Sequence, residues 1–347
     1  MELTPRKKAI LFSIIRTYID TGEPVGSRTE SLLRDIGVSP ATLRNEMAEL
    51  CEMGYLSQPH TSAGRVPTNL GYKEYIDNLS NNLLITDSTK RLINKLLDQS
   101  MIDPESLPEN ASEILSDLTG LPTIVSSVRS NCCYIRRVEM APMSRHSLVM
   151  FIITSDGIAR SRMCRTSMEL TTDKLMMVDR IISQEVIGKS LDLFNNQFLK
   201  RLIAICGDYG LDFLPILSTL FDLVNEITKS RIRIGGRNSI STTFSSGVDS
   251  QKLLDFITNG DDFMNVLSET NSPLTIVYGD KTGYHELKPV NLIVAKYRTS
   301  DDGHGYIGVI GPTRMNYEKV LPSINYFASR FEDIMIQAIK DINDWEG

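Results

Sequence analysis

The sequence is poor in the residues on which several classes of function depend. Its four histidines (His60, His146, His285 and His304) are scattered without the spacing of metal ligands, so no metal is expected. Its five cysteines (Cys51, Cys132, Cys133, Cys164 and Cys206) are odd in number and none sits in a C-x-x-C pair, which favours reduced thiols over a disulfide framework. No uninterrupted run of about 18 apolar residues occurs, and Met1-Glu2-Leu3-Thr4-Pro5 lacks the basic-then-apolar layout of a signal peptide. A cytoplasmic protein with no membrane partner is therefore expected. Positive charge is short as well: the formal net charge is −6 and the pI about 5.4, so bulk charge cannot draw the chain to nucleic acid. Any such contact must come from a local patch. There is no P-loop, G-x-S-x-G or H-E-x-x-H, and neither Gly235-Gly236 nor the stretch from Gly303 to Gly305 matches a phosphate or dinucleotide fingerprint. No cofactor is expected, and catalysis is the weakest reading.

What is present is ample apolar material, 41% of 347 residues, enough for two or three cores in a multi-domain α+β chain. Thr4-Pro5 reads as an N-cap followed by a first-turn proline, and Leu11, Ile14, Ile15, Tyr18 and Ile19 have helical spacing, giving a first helix to about Asp20. A Gly22-Glu23-Pro24 turn follows. Gly26-Ser27 then opens a short second helix that holds Leu32 and Leu33 and ends before Gly37. Ser39-Pro40 launches a third helix with Leu43, Met47, Leu50 and Cys51 on one face.

The second and third helices are joined by the short turn Asp35-Ile36-Gly37-Val38, the spacing of a helix-turn-helix. With Leu43, Met47 and Leu50 inward, Ala41, Thr42, Arg44, Asn45 and Ala48 lie outward or flanking. Such a face suits the major groove, where Arg can pair with guanine and Asn with adenine, although a solvated helix face would read the same. Beyond Gly54-Tyr55-Leu56, a tip from Pro59 to Gly64 and a return through Arg65-Val66-Pro67 make a small hairpin, a wing. The candidate DNA-contacting residues are Arg28, Ser39, Ala41, Thr42, Arg44, Asn45, His60, Thr61, Ser62 and Arg65. Residues 1–79 carry nine Lys and Arg against ten Asp and Glu, so the fold must sort Arg6, Lys7, Lys8, Arg28, Arg44, Arg65 and Lys73 to one side.

The run Pro59-His60-Thr61-Ser62-Ala63-Gly64-Arg65-Val66-Pro67-Thr68-Asn69-Leu70-Gly71-Tyr72, followed by Tyr75-Ile76-Asp77, strongly resembles the HrcA family of heat-inducible transcription repressors. Glu23 to Arg28 and Ser39 to Met47 match the family's wording too, and Gly308 to Tyr317 is similar to its second signature. The resemblance implies an inverted-repeat operator in double-stranded DNA upstream of chaperone operons. It implies a homodimer, release under folding stress, dependence on the GroE chaperonin, and a GAF-like domain interrupted by an inserted dimerisation domain.

Further along, Leu92, Ile93, Leu96, Leu97 and Met101 form a helical stripe before a hinge-like stretch with Pro104, Pro108 and Gly120. Strand-like runs follow at 123–128, 134–140, 148–154 and 158–164, the last two separated by Asp156-Gly157, a hairpin signal. From Asp173 to Arg231 the pattern turns helical, with Phe213, Leu217, Leu220, Val224 and Ile227 in step, and strands return at 274–278, 292–297 and 307–310. Tyr317, Leu321, Ile324, Ala328, Phe331, Met335, Ala338, Ile342 and Trp345 mark a long last helix, read as lying across its own sheet. Arg314 is given a structural role. The organisation expected is a winged helix-turn-helix at 1–79, a linker helix and hinge at 80–122, a GAF-like antiparallel sheet domain in two halves at 123–170 and 271–347, and a mainly helical dimerisation insert at 171–270. A metabolite-gated regulator using the GAF-like sheet as sensor is the alternative reading.

Overall fold

Capping residues begin the first helices where local chemistry favours them. The computed structural model of the chain describes residues 3–60, 63–80, 84–99, 106–128, 133–228, 231–244, 249–258, 261–270, 272–288, 290–299 and 303–344. Helix α1 (Pro5–Thr21) is capped by the Thr4 hydroxyl, which accepts from the Lys7 N–H at 3.3 Å, and it closes on Gly22 in the left-handed region at φ 71°. Helix α2 (Glu30–Ile36) begins later than Gly26-Ser27 suggested, because Val25 is held in an antiparallel bridge with Arg65 and Gly26 to Thr29 close a turn. Helix α3 (Pro40–Glu52) follows from Ser39, whose Oγ accepts from the Thr42 N–H at 3.1 Å. Its Leu43, Met47 and Leu50 are buried in one cluster with Ile10, Leu11, Ile14 and Ile15 of α1. At about 1.5–3 kcal/mol for each large apolar side chain, this burial holds three short helices that could not stand alone.

Strands β1 (Leu56–Ser57) and β2 (Val66–Pro67) pair antiparallel, Leu56 opposite Pro67 and Ser57 opposite Val66. Helix α4 (Asn69–Ser80) is tied to the end of α3 by the Thr68 hydroxyl, which donates to the Gly54 carbonyl at 2.6 Å. Helices α5 (Asp87–Gln99) and α6 (Leu107–Thr119) come next. Ile93 and Leu97 of α5 and Leu107, Ala111 and Leu115 of α6 are buried in the same large cluster, so the described parts of the expected hinge are packed helices rather than free linker.

Then come β3 (Thr123–Val128), β4 (Ile135–Ser144), β5 (Ser147–Thr154), β6 (Ala159–Arg165), α7 (Thr172–Glu185), α8 (Asn196–Ile205), α9 (Leu214–Thr228) and β7 (Arg231–Gly235). The chain ends with α10 (Arg237–Thr243), α11 (Ser250–Thr258), α12 (Asp261–Ser268), β8 (Leu274–Tyr278), β9 (Val290–Arg298), β10 (His304–Pro312) and α13 (Tyr317–Asp344). A five-stranded antiparallel sheet runs in the order β7-β3-β10-β9-β8, and β4-β5-β6 form a separate three-stranded sheet.

Alternation along the larger sheet buries both faces. Val125, Ile293, Ala295, Ile307 and Val309 share a cluster with Leu321, Ile324, Phe327 and Phe331 of α13, which lies across its own sheet as its stripe suggested. Ile124, Leu292, Val294 and Ile310 pack on the other side with Leu253, Ile257, Phe263 and Leu267 of α11 and α12. The smaller sheet has a core of its own: Leu148, Met150, Ile152 and Cys164 pack with Val178 and Ile182 of α7 and with Leu217, Leu220 and Val224 of α9.

This partition corrects the expected boundaries. Strands β4 to β6 do not continue β3 into one half of a split sheet; they belong with α7 to α9. Strand β7 and helices α10 to α12, expected in the insert, build the larger sheet and its cover. The reason is pairing: β3 meets β10 with Thr123 opposite Val309, and its other edge is taken by β7 with Ile124 opposite Ile234.

Candidate nucleic-acid interface

The hairpin, α3 and the Val25 segment surround one groove because Val25 serves as a third, one-residue strand. Its N–H donates to the Arg65 carbonyl at 2.9 Å and its carbonyl accepts from the Arg65 N–H at 2.8 Å. Gly64 makes this possible, since a Cβ there would stand 2.6 Å from the Pro24 carbonyl oxygen and from Val25 backbone atoms. The groove encloses about 680 Å³, and its lining includes Arg28, Arg44, Arg65, Gln58 and Gly26. Gln58 steadies the hairpin tip by donating to the Ala63 carbonyl at 3.1 Å.

Charge in this region is sorted by pairing. Lys7 bridges Glu46 at 3.2 Å and Glu49 at 2.7 Å, Arg6 reaches Glu46 at 3.5 Å, Lys8 meets Glu74 at 2.7 Å and Arg16 meets Glu318 at 2.6 Å. Hydrogen bonds donated to Glu49 and Glu46 hold the Lys7 ammonium above its ordinary range. Arg6, Lys7 and Lys8, expected to join a DNA-facing patch, are instead spent on glutamates of α3 and α4. Among the described residues, Arg28, Arg44 and Arg65 have no such partner, and the buried Nε of Arg65 has no hydrogen-bond partner at all. Arg34 and Lys73 are likewise exposed and unpaired but do not line the groove.

Of the other candidates, Ala41, Arg44 and Asn45 are exposed on the first half of α3, with Thr42 half-buried beside them. Ser39 and Thr42 are coupled hydroxyl to hydroxyl at 2.8 Å as part of the helix cap, a role the Ser-Pro signal already carried. His60 is exposed at the tip, and Thr61 and Ser62 lie outside the described residues. Val25 and Gln58 were missed from sequence; the bridge that recruits them joins segments 40 residues apart, from Val25 to Arg65, and no local pattern signals it.

A solved structure described as "Crystal structure of a hypothetical protein at 2.2 A resolution" has the same fold, with a TM-score of 0.70 at 22% identity over 97% of this chain and 100% of that one. Residues 105–321 match the profile of the HrcA protein C terminal domain. Curated relatives called heat-inducible transcription repressor HrcA match over the full length. That of Acetivibrio thermocellus is 32% identical, covering 99% of both chains, and that of Clostridium botulinum (strain Alaska E43 / Type E3) is 31% identical over 99% of this chain and 98% of its own. That of Clostridium tetani is 32% identical over 96% of each. No helix among the described residues is long and apolar enough to cross a membrane. With the family profile covering more than half of the chain and such relatives spanning nearly all of it, the chain belongs to the HrcA family of heat-inducible transcription repressors.

Proposed function

We propose that this chain represses transcription as a homodimer whose two N-terminal winged helix-turn-helix modules bind an inverted repeat in double-stranded DNA. The observation that carries the reading is the groove between α3 and the hairpin, where Arg28, Arg44 and Arg65 stand unpaired while Arg6, Lys7, Lys8 and Arg16 are neutralised. Arg44 and Asn45 read base edges in the major groove, and Arg65 and Arg28 bind phosphate.

Dimerisation is assigned to the β4-β5-β6 unit. Leu148, Met150 and Ile152 turn inward, so Val149, Phe151 and Ile153 take the outer face, opposite Met163, Ser161 and Ala159 of β6. Phe151 is 43% exposed and Met163 55%, an apolar surface unusual for a protein without a partner. The sequence placed dimerisation in the mainly helical insert at 171–270; the outer face of β5 and β6 suits it better, since the apolar face of α9 is already buried.

The operator lies upstream of chaperone operons and is released on heat or folding stress, with recovery of activity dependent on the GroE chaperonin. Pairing of β3 with β10 across about half of the chain supports that dependence, because such long-range sheets fold slowly and expose apolar surface meanwhile. Gating by a metabolite is disfavoured: the sheet face that would hold it is filled by Leu253, Ile257 and Phe263. The GAF-like part acts as a scaffold. Selection of bound duplexes from a random pool by the purified chain tests the reading. An enriched inverted repeat is expected; enrichment of no sequence refutes it.

A further inference from the structure

The N-terminal module does not hang from a free tether. One apolar cluster runs from Leu3 and Ile10 through Tyr72 and Tyr75 to Tyr317, Leu321 and Phe331, and the Tyr72 and Tyr317 rings lie 6.0 Å apart across the join. Burial pushes the Tyr72 and Tyr75 hydroxyls well above the ordinary phenol range, so this seam stays neutral. The attraction from this burial is non-directional, so it holds the two parts together without selecting one orientation among closely related ones.

Direction comes from two hydrogen bonds and one close contact at separate points. Arg16 Nε, on the fourth turn of α1, donates to Glu318 Oε1 at 2.6 Å at the start of α13. Asn69 Nδ2, at the start of α4, donates to Asp280 Oδ2 at 2.6 Å in the loop after β8. The Arg314 guanidinium, from the loop between β10 and α13, rests against Gly22, so close that a Cβ there would collide with it. That places a cation at the negative end of the α1 dipole. All three ties are at least partly exposed, and exposed pairs contribute little to stability. Three separated contacts nevertheless oppose rotation of one body on the other, because any turn must break at least two of them.

We propose that Arg16 and Arg314 are positioning residues: they lock the orientation of each DNA-binding module on its protomer and so set the one half-site spacing that the dimer accepts. The proposal rests on the dimeric DNA-binding reading above. One base pair added between half-sites moves the second by about 3.4 Å and turns it by about 35°, which a locked pair of modules cannot follow.

The test uses the full-length chain on duplexes carrying the inverted repeat it selects from random DNA, with the spacer lengthened or shortened by one and two base pairs. Binding is read by fluorescence anisotropy for the wild type, Arg16→Ala/Arg314→Ala, Arg16→Lys/Arg314→Lys and Tyr72→Phe. The wild type should lose about tenfold or more in affinity per altered base pair. The double alanine variant should bind a single half-site unchanged yet tolerate altered spacers within about threefold, a pattern that mere loss of stability does not produce. The double lysine variant, which keeps both charges, and Tyr72→Phe, which removes only a buried hydroxyl without a partner, should discriminate like the wild type. A double alanine variant as strict as the wild type overturns the proposal, and so does a wild type indifferent to spacing. A wild type that selects no inverted repeat overturns the DNA-binding reading and this proposal together.

Discussion

Replacing Arg65 by alanine tests the phosphate contact proposed for it while leaving the backbone pairing of the hairpin in place. The backbone bonds between Arg65 and Val25, at 2.8 and 2.9 Å, do not involve the side chain, and the deleted Nε has no partner to orphan. Each neutralised phosphate contributes about −0.9 to the slope of log K against log salt, and a dimer loses two contacts, so the slope should become shallower by about 1.8. Relative to 1 M salt, one contact at 0.15 M is worth about 0.7 decades, or roughly 1 kcal/mol. The variant dimer should then bind about 30-fold more weakly at 0.15 M and approach the wild type near 1 M. The loss should be the same on the selected operator and on scrambled duplex. Anisotropy titrations between 0.05 and 0.4 M salt give both slopes. An unchanged slope, or a change in preference at one base pair, would refute the assignment of Arg65 to phosphate.

Arg44→Ala and Asn45→Ala should each cost roughly 1–3 kcal/mol on the selected operator and less on scrambled DNA, measured by competition against single-base substitutions. Full retention of discrimination by either would move the reading face elsewhere on α3. Gly64→Ala forces the hairpin away from Pro24 and Val25 and should destabilise the chain by about 1–3 kcal/mol, seen as a lower denaturant midpoint. Phe151→Asp/Met163→Asp charges the outer face of β5 and β6 and should yield a folded monomer by sedimentation that binds one half-site only; a dimer that persists places the interface elsewhere. Refolding from denaturant should recover more operator-binding activity with GroE chaperonin than without, and equal recovery would count against chaperonin dependence.

The parts of this architecture legible in the sequence are those whose causes are local. Thr4-Pro5 and Ser39-Pro40 start α1 and α3 where the cap signals placed them, and Leu43, Met47 and Leu50 face inward as their spacing required. Phe213, Leu217, Leu220, Val224 and Ile227 are all buried, with all but Phe213 inside α9 itself. What the sequence hid depends on distant partners. Residues 123–128 and 134–140 read alike as strands, and only the pairing of β3 with β7 and β10 assigns them to different sheets. Arg231–Gly235 is too short and too basic to announce itself as a sheet strand, and its partner lies about a hundred residues earlier. The exposed face of α3, with Ala41, Arg44 and Asn45, was traceable because a helix face follows from spacing. The neutralisation of Arg6, Lys7 and Lys8 was not, because Glu46, Glu49 and Glu74 reach them from other helices.

The central claim, that the groove between α3 and the hairpin is what touches DNA, is tested most directly by hydroxyl-radical footprinting of the purified chain on its selected duplex. Arg44→Ala/Arg65→Ala, shown to be folded and of unchanged oligomeric state, is run beside the wild type. The wild type should protect two patches of backbone related by a two-fold axis and separated by about one helical turn or a multiple of it, and the variant should leave both exposed at the same concentration. Protection that persists unchanged in the variant would contradict the claim and place the DNA-binding surface elsewhere on the chain.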